Sequence, residues 1–552
     1  MSTATAAVAG IETEQRDPWL PMIVIAMGQA LMSFNVAAIP VSMSGMVESF
    51  NTPPTTVGTA IVMYSLGVSG FVMLGAKIGQ RFGSKRVFQV VVGLFALAML
   101  TMVISPSALV MVTAQGLAGL SAAALVPTLV ALIANHYRGR QQAEAVGWLG
   151  SARAIAGVLA FVIVGFVAAI NWRLAFGLLI VHAVAILLLS FRLKPSEAKP
   201  DVKIDGIGVF LAALGIIMVT FGVNNLRGWG LLLASPRAPF TISGLSPAPI
   251  LIVAGAAVVM AFFVWSRQRV ARGRTPLLDL EVVGSAREWA AVVALFVIVS
   301  TEAAINFSVP LYIQIVQGRS SMATSLAMMP FMLTVFFTAI LVVRLYDRFT
   351  PRRIAQAGFI LVFFGTLWLG LVARNDWSVL PVIVGLVTVG VGQGALVTLL
   401  FNVLVTAARP ELAGDVGSLR GVTQNLAAAV GTALMGALLV GLLSTIILGN
   451  LSTNPVLKEN LAVEVDMNSL NFASNDRLVE VLGRTPATPE LVEEAVRINT
   501  ESRLRALKTG FLVLSALSLL AIVPCSWLPN YRRGQIPAEG AKGSSGQEEP
   551  DR

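Results

Sequence analysis

Fourteen long apolar stretches, joined by short polar loops, occupy most of the 552-residue chain. Stretches of about 20 residues or more have the length of an α-helix that crosses roughly 30 Å of hydrocarbon with its backbone groups bonded internally. Hydrophobic residues make up 56% of the chain and charged residues only 12%, which excludes a soluble globular protein. The sequence therefore predicts an all-α polytopic membrane protein with 14 transmembrane helices, surrounded by the lipid bilayer.

The loop charges predict how the chain is oriented. The predicted spans cover residues 19–46, 55–78, 87–105, 108–134, 145–170, 174–191, 206–226, 248–266, 289–313, 322–346, 354–373, 378–407, 414–449 and 509–528. Lys and Arg number 18 in the short loops after even-numbered spans and 5 after odd-numbered spans. Because cytoplasmic loops carry the excess of these residues, both termini are predicted to be cytoplasmic. The net charge of +10 follows from this topology, and no nucleic-acid partner is expected.

Two short patterns recur at one spacing. Arg81-Phe82 with Lys85-Arg86 returns as Arg348-Phe349 with Arg352-Arg353, and Gly150-Ser151-Ala152-Arg153 returns as Gly417-Ser418-Leu419-Arg420. Both offsets are 267, since 348 − 81 and 420 − 153 are equal. The chain is thus predicted to hold two six-span halves, with spans 7 and 8 inserted between them. Repeated halves are typical of secondary transporters that rock around a site near the membrane midplane.

This duplication predicts the domain organisation. The expected parts are a cytoplasmic tail (1–18), an N-terminal six-helix bundle (19–192), two inserted helices with linkers (193–288), a C-terminal six-helix bundle (289–528) that includes an extracytoplasmic loop (450–508), and a cytoplasmic tail (529–552). Within the loop, Thr488-Pro489-Glu490 has the N-cap, first-turn proline and early acid of a helix start. A helix is predicted to begin there and run into span 14.

Three segments carry the resemblance to a known family. The residues from Ala76 to Arg86 resemble the loop motif G-x-L-x-D-R-x-G-R-[KR]-[KR], and those from Gly119 to Pro127 resemble a helix 4 signature. The segment Leu311-Tyr312-Ile313-Gln314, with Gly318 and Pro330, resembles the opening of a second half. Over nearly its whole length the chain resembles the major facilitator superfamily, in particular the fourteen-helix drug:proton antiporter branch.

The resemblance implies a transporter of the bacterial cytoplasmic membrane, the cell inner membrane. Such a protein would export small organic or amphipathic compounds by alternating access, in exchange for protons and without a cofactor. Several positions depart from the family pattern: Gln80 replaces the loop acid beside Arg81, Gln115 stands at the helix 4 arginine, and Leu31 stands at the helix 1 aspartate. These departures leave the direction of transport open, so uptake or facilitated entry of a small metabolite is the alternative.

Other functional classes find no support in the sequence. A GxxxxGK[ST] loop is absent, which excludes direct ATP hydrolysis by this chain. The sequence has no catalytic cluster and no motif for a metal, so an enzyme is not expected. Nothing in the sequence fixes the oligomeric state or the substrate.

Glu302 is the candidate for proton coupling. It lies 13 positions after Trp289, which places it about 20 Å into its span, near the bilayer midplane. A central acidic side chain costs about 2.5–3.5 kcal/mol on translocon scales, so it needs water, a partner or a proton. A carboxyl there could take up and release a proton as access alternates. The other interpretation is a neutral glutamic acid that hydrogen-bonds a neighbouring helix.

Mid-span amides are the candidates for the substrate cavity, because the resemblance implies that helices 1, 4, 9 and 12 line it. These are Gln29, Asn35, Gln115, Asn306, Gln393 and Asn402. Amides both donate and accept hydrogen bonds, which suits a neutral or polyfunctional substrate. Interhelical hydrogen bonding is the alternative role for each of them.

The gating candidates lie near the predicted cytoplasmic ends of the spans. They are Gln80 and Arg81, Asp347 and Arg348, and the pseudo-symmetric pair Arg153 and Arg420. Long arginine side chains at such depths can also reach the membrane surface or pair with carbonyl groups. Asp415, just before Arg420, is the predicted local partner of that arginine.

Overall fold

The chain folds into a bundle of helices in a computed structural model that describes residues 18–528 and 530, apart from 138, 231, 236–237, 347, 375–379, 408–412, 454–474, 484–487 and 529. The helices are α1 Leu20–Val41, α2 Met43–Phe50, α3 Pro54–Phe82, α4 Ser84–Val103, α5 Ala108–His136, α6 Gly139–Ile170, α7 Trp172–Ser190, α8 Gly206–Trp229, α9 Pro247–Ala271, α10 Ala286–Leu311, α11 Ser321–Leu341, α12 Pro351–Val372, α13 Leu380–Ala407, α14 Ala413–Thr453, α15 Asn475–Leu482, α16 Pro489–Leu520 and α17 Ile522–Cys525. A π-helical turn, Tyr312–Val316, extends α10.

Among the described residues, thirteen helices are long and apolar enough to cross a membrane. The remaining predicted span corresponds to α6, a 32-residue helix in which Ile155–Ile170 forms a shorter apolar segment. The all-helical membrane fold predicted from the sequence is therefore confirmed.

The two sets of six spanning helices repeat the same contacts. In the first set α1 packs on α6, α3 on α5, and α4 on both α5 and α7. In the second set α10 packs on α14, α11 on α13, and α12 on both α13 and α16. These pairs correspond helix by helix, so the 267-residue repeat in the sequence has a counterpart in how the helices pack.

Glycines allow the closest of these contacts. A Cβ atom built at Gly119 of α5 would collide with the Tyr64 carbonyl oxygen of α3. The corresponding helix pair in the other half is equally close, because a Cβ atom at Gly394 of α13 would collide with the Val335 carbonyl oxygen of α11. Backbones that touch in this way leave no room for a side chain and hold the helix pair at a fixed separation.

The inserted helices α8 and α9 form a pair that lies beside the contact between the halves. Helix α8 packs on both α3 and α14, where Val223 joins a small apolar cluster with Val62 and Ala429. At the base of this pair the buried Asp205 side chain accepts hydrogen bonds from Gly208 N–H and Trp265 Nε1–H, and Arg269 Nε lies 3.3 Å from Asp205 Oδ2. This network, which sequence analysis missed, ties α8 to α9.

Several helix ends differ by a few residues from the predicted spans, and one prediction about a boundary is confirmed. The first span is not one helix, because the chain breaks at Ser42, just after Pro40. Helix α14 continues to Thr453, beyond the predicted end at 449. Helix α16 begins at Pro489 and runs to Leu520 without interruption, as Thr488-Pro489-Glu490 predicted.

Candidate functional site

Glu302 meets a polar partner at the middle of the membrane-spanning region. It lies 16 residues after Ala286 and 14 before Val316, the ends of its span, and its side chain is half-buried. Gln393 lies near the middle of α13, and its Nε2–H donates to Glu302 Oε2 at 2.7 Å. Glu302 therefore faces α13 inside the bundle and does not point into hydrocarbon.

Asn35 and Gln115 form a second polar contact, between α1 and α5. Asn35 Nδ2–H donates to Gln115 Oε1 at 3.0 Å, and Gln115 Nε2–H donates to Asn35 Oδ1 at 3.2 Å. Both side chains are fully buried. Each amide thus uses its partner as donor and acceptor at once, and in this conformation the pair serves as a contact between helices.

One member of each contact is related by the internal repeat. Asn35 and Glu302 are separated by 302 − 35 = 267 residues, the offset of the other repeated patterns. Gln115 and Gln393 lie on corresponding helices, α5 and α13, but are separated by 393 − 115 = 278 residues, so the repeat does not relate them position by position. Corresponding helix pairs therefore carry a contact of two amides in the first half and a contact of a carboxyl with an amide in the second.

The remaining predicted cavity residues do not join either pair. Gln29 is half-buried, two turns before Asn35 on α1. Asn306 lies one turn beyond Glu302, and its Oδ1 is buried with no hydrogen-bond partner among the described residues. Asn402 lies near the end of α13, where its Nδ2–H donates to the Tyr346 hydroxyl at 3.2 Å. Asn402 lies toward the predicted cytoplasmic end of α13, about 13 Å from Gln393 along the helix axis.

Arg420 packs on an aromatic ring. Its guanidinium carbon lies 3.7 Å from the centre of the Phe401 ring, which joins α14 to α13. The predicted pairing of Asp415 with Arg420 is wrong, because Asp415 Oδ2 accepts a hydrogen bond from Asp279 N–H at 3.3 Å. The side chain of Arg153 and the whole of Asp347 lie outside the described residues.

The loop motif at the end of α3 lies at the protein surface. Gln80 and Arg81 are exposed, and the Gln80 carbonyl oxygen accepts from Lys199 N–H at 3.0 Å. Arg348, the repeat of Arg81, is also exposed. None of these three side chains forms a described contact between the halves.

The first part of that motif takes part in a charged contact between the halves. Lys77 of α3 is near enough to Asp415 of α14 for the two charges to attract. The register of the helices agrees, because a Cβ atom built at Gly421 would lie 3.2 Å from Val72 Cγ2. Helices α3 and α14 are antiparallel. Measured from that contact, Lys77 lies about 8 Å along α3 and Asp415 about 9 Å along α14, both toward the same membrane side.

Gln314 links the halves at the opposite membrane side. Its Oε1 accepts from Ser44 N–H at 2.9 Å, and its Nε2–H donates to the Pro40 carbonyl oxygen at 2.8 Å. In an unbroken helix those two backbone groups would bond to each other. A side chain from the second half is thus inserted into the helical ladder of the first half, which explains the break at Ser42.

Comparisons with known proteins identify the family. A family model described as Major Facilitator Superfamily matches residues 25–432. The chain is 24% identical to the multidrug resistance protein Stp of Mycobacterium tuberculosis (strain CDC 1551 / Oshkosh), over 93% of both chains. It is 23% identical to the multidrug efflux pump LfrA of Mycolicibacterium smegmatis, covering 78% of this chain and 83% of LfrA.

Further similarities extend to a probable actinorhodin transporter and to solved structures. The chain is 25% identical to the Streptomyces coelicolor protein, over 70% of this chain and 66% of that one. A bacterial homologue of the human lysosomal transporter Spinster superposes with a TM-score of 0.60 at 14% identity, covering 92% of this chain and 98% of the other. An auto-inhibited peptide transporter of the POT family gives 0.59 at 14% identity, over 94% and 99%. These structures share the fold, and the chain belongs to the Major Facilitator Superfamily.

Proposed function

We propose that this protein is a proton-coupled efflux transporter of small organic or amphipathic compounds. The observation that carries the proposal is the Glu302 carboxyl, held against Gln393 in the middle of a chain whose near full-length relatives include a multidrug resistance protein and an efflux pump. The protein would lie in the bacterial cytoplasmic membrane with both termini in the cytoplasm, as its loop charges predict.

The proposed cycle exchanges one substrate for protons at a central cavity. Glu302 takes up a proton from the outer side and releases it to the cytoplasm after access has alternated. Protonation removes a charge that is costly in the membrane interior, and substrate binding favours the ionised carboxyl. Each ligand thus shifts the equilibrium between the two access states, which couples the proton gradient to export.

The substrate class follows from the polar side chains near Glu302. Gln29 and Asn306 are half-buried amides with donor and acceptor groups available to a ligand. The Asn306 Oδ1 has no partner among the described residues and would accept a hydrogen bond from the substrate. We therefore expect neutral or weakly charged amphipathic compounds. Asn35, Gln115, Gln393 and Asn402 are engaged with protein groups in this conformation and would contact substrate after rearrangement.

Movement of two bundles would provide access. We place the N-terminal bundle at 19–192, the inserted pair at 193–288 and the C-terminal bundle at 289–528. The cytoplasmic gate would involve Gln80, Arg81, Arg153, Asp347, Arg348 and Arg420. Since Gln80 cannot supply the charge of the usual loop acid, Asp415 on the other bundle supports the gate through its attraction to Lys77.

The direction of transport has a direct test. Cells that lack the protein should accumulate more of an exported compound, measured with a panel of fluorescent amphipathic dyes that begins with ethidium. Restoring the wild-type gene should lower the dye content again. Lower accumulation in the cells without the protein would favour the uptake alternative.

Proton coupling is tested in proteoliposomes that hold the purified full-length protein. An imposed pH gradient should drive dye transport by the wild-type protein and leave Glu302→Gln near the level of empty liposomes. Ser300→Ala is the matched control, because it alters a neighbouring polar group that bonds to the Ala427 carbonyl oxygen and leaves the carboxyl in place. Unchanged gradient dependence in Glu302→Gln would remove Glu302 from the coupling role.

A further inference from the structure

Within the described part of the chain, the Gln393 amide is hydrogen-bonded through its nitrogen and not through its oxygen. Its side chain is fully buried, and its Nε2–H donates to Glu302 Oε2 at 2.7 Å. Its Oε1 is also buried but has no hydrogen-bond partner within the part of the chain that the structure describes. A buried acceptor without a donor is unfavourable, and in native proteins such a group calls for an explanation.

The contact between the corresponding helices of the first half shows what a complete pair of hydrogen bonds looks like. Asn35 and Gln115 exchange two hydrogen bonds, at 3.0 Å and 3.2 Å. Each residue donates one bond and accepts the other. At the corresponding contact in the second half, the donor that would reach Gln393 Oε1 is absent.

A proton on Glu302 supplies that donor. An ionised carboxylate can only accept hydrogen bonds, whereas a protonated carboxyl has one O–H donor and one remaining carbonyl acceptor. We propose that Gln393 is a positioning residue whose unpaired Oε1 accepts a hydrogen bond from the protonated Glu302 carboxyl. The proton comes from a hydronium ion: its O–H bond breaks as an O–H bond forms at one carboxylate oxygen, water is left, and no other covalent bond changes. The inference rests on the proposed function, which assigns the transported proton to Glu302.

The protonated pair closes into a ring of two hydrogen bonds. The Glu302 O–H donates to Gln393 Oε1, and Gln393 Nε2–H donates to the other carboxyl oxygen. This ring has the same donor and acceptor pattern as the Asn35–Gln115 pair. Protonation therefore strengthens the contact between α10 and α13, and deprotonation leaves it with the single bond described above. Gln393 converts the charge state of Glu302 into a difference in how two helices are held together.

The surroundings of Glu302 make this pair the central ionisable contact of α10. The spans α1, α11 and α13, which pack on α10, contain no charged residue. Helix α3 touches α10 where a Cβ atom built at Gly58 would collide with the Phe307 ring, and its buried Tyr64, about 9 Å further along, lies roughly level with Glu302. The other described ionisable groups on elements packed against α10 lie toward its two ends. Asp279, Glu281, Asp415 and Arg420 lie toward the start of α10, and Glu48, Tyr312 and Arg503 lie toward its end. The hydrogen bond from Ser300 Oγ to the Ala427 carbonyl oxygen sets the register, which puts Arg420 roughly 13 Å from Glu302 along the helix axis.

The α16 and α17 helices complete the set of neighbours. Arg503 is close enough to Tyr312 for an electrostatic interaction at the far end of α10. Cys525 of α17 is buried, and α17 also packs on α10. The remaining charged residues of α16 lie between Glu490 and Lys508, in the N-terminal part of the helix and outside its apolar part.

Infrared difference spectroscopy tests the proposal on the purified full-length protein in lipid. Spectra at low and high pH should contain a carbonyl band from protonated Glu302, assigned by its loss in Glu302→Gln. In Gln393→Leu the band should persist and move to higher frequency, because the carboxyl loses a hydrogen-bond partner. The midpoint of its pH dependence should also move by about one pH unit, the size expected for one hydrogen bond.

Two further variants control for damage to the fold. Gln393→Asn keeps the amide but shortens its reach, and should move the band in the same direction by a smaller amount. Gln115→Leu removes the buried amide on the corresponding helix of the first half and should leave the Glu302 band in place. A band that is identical in the wild-type protein and both Gln393 variants overturns the role of Gln393. Absence of any band that depends on Glu302 in the wild-type protein instead overturns the proposed proton site.

Discussion

The two halves of the transporter hold corresponding pairs of helices together through different chemical groups. In the first half Asn35 and Gln115 exchange two hydrogen bonds, and neither side chain can change its charge near neutral pH. In the second half Glu302 accepts one bond from Gln393 and can gain or lose a proton. Both pairs join corresponding helices of a repeated scaffold. Under the proposed function, one half serves as a fixed framework and the other contains the group that responds to the proton gradient.

The difference has an energetic basis. An amide pair is neutral, so its burial between helices costs little once its hydrogen bonds are made. A carboxylate at membrane depth is expensive unless it is paired, hydrated or protonated. A single titratable group in one half therefore gives the protein two states of different stability, and a second such group in the other half is not needed to drive the change.

The largest expected effect comes from making the two halves chemically alike. Glu302→Gln can form a two-bond amide pair with Gln393, similar to the Asn35–Gln115 pair. We expect net uphill transport to fall to near background, while exchange of labelled for unlabelled substrate across liposomes is retained. Measuring both activities on one preparation separates lost coupling from lost folding. Loss of exchange together with net transport would contradict the assignment of a coupling role alone.

The converse substitution places a second carboxyl in the fixed half. Asn35→Asp puts an acidic group beside Gln115, at a cost of about 2.5–3.5 kcal/mol on translocon scales for the helix centre. We expect a lower yield of folded protein and a thermal unfolding midpoint that falls as pH rises, because ionisation penalises the folded state. Asn35→Leu, which removes the amide without adding charge, is the control. Equal pH dependence of the two variants would argue against a buried position for residue 35.

Breaking the amide pair should have a smaller effect, on stability alone. Gln115→Leu leaves the buried Asn35 without a partner, which costs about 1–2 kcal/mol. The double variant Asn35→Leu/Gln115→Leu should recover part of that loss, because replacing both members removes the unpaired group. Thermal unfolding of the wild-type protein and the three variants gives the coupling energy of the pair. A coupling energy near zero would show that the pair does not hold α1 to α5.

The smallest expected effect concerns the link between the halves. Gln314→Ala leaves the Pro40 carbonyl and the Ser44 N–H without their partner, a loss of about 1 kcal/mol. Since the contact is made across the two halves, its loss should favour the state open at that side, by roughly fivefold. Labelling of cysteines introduced on both halves at that side, in a Cys525→Ser background, measures the change. Unaltered labelling would mean that Gln314 has no part in closure.

The sequence predicted the scaffold well because hydrophobic length and loop charge are local signals. The spans, the helix start at Pro489 and the central position of Glu302 all follow from residues that are close together in the chain. The 267-residue repeat also related the two halves. The same offset relates Asn35 to Glu302, a correspondence that the sequence analysis did not include.

The contacts themselves were not predictable from the sequence. Gln393 lies 91 positions from Glu302, and Gln314 lies 270 positions from Ser44. Such pairings depend on how each helix is rotated, and a span that is apolar all round carries no signal for its rotation. For the same reason Asp415 was assigned to Arg420, its neighbour in sequence, whereas in the fold it accepts a hydrogen bond from Asp279 N–H and attracts Lys77 on another helix.

Substrate-induced proton release tests the central claim most directly. Purified protein is mixed with ethidium in weakly buffered detergent solution while a pH indicator reports released protons. The measurement is made above the pH at which Glu302 is ionised and again below it. If Glu302 carries the transported proton, the wild-type protein releases about one proton per bound dye at the lower pH, and Glu302→Gln binds dye without release. Equal proton release by the wild-type protein and Glu302→Gln would contradict the account.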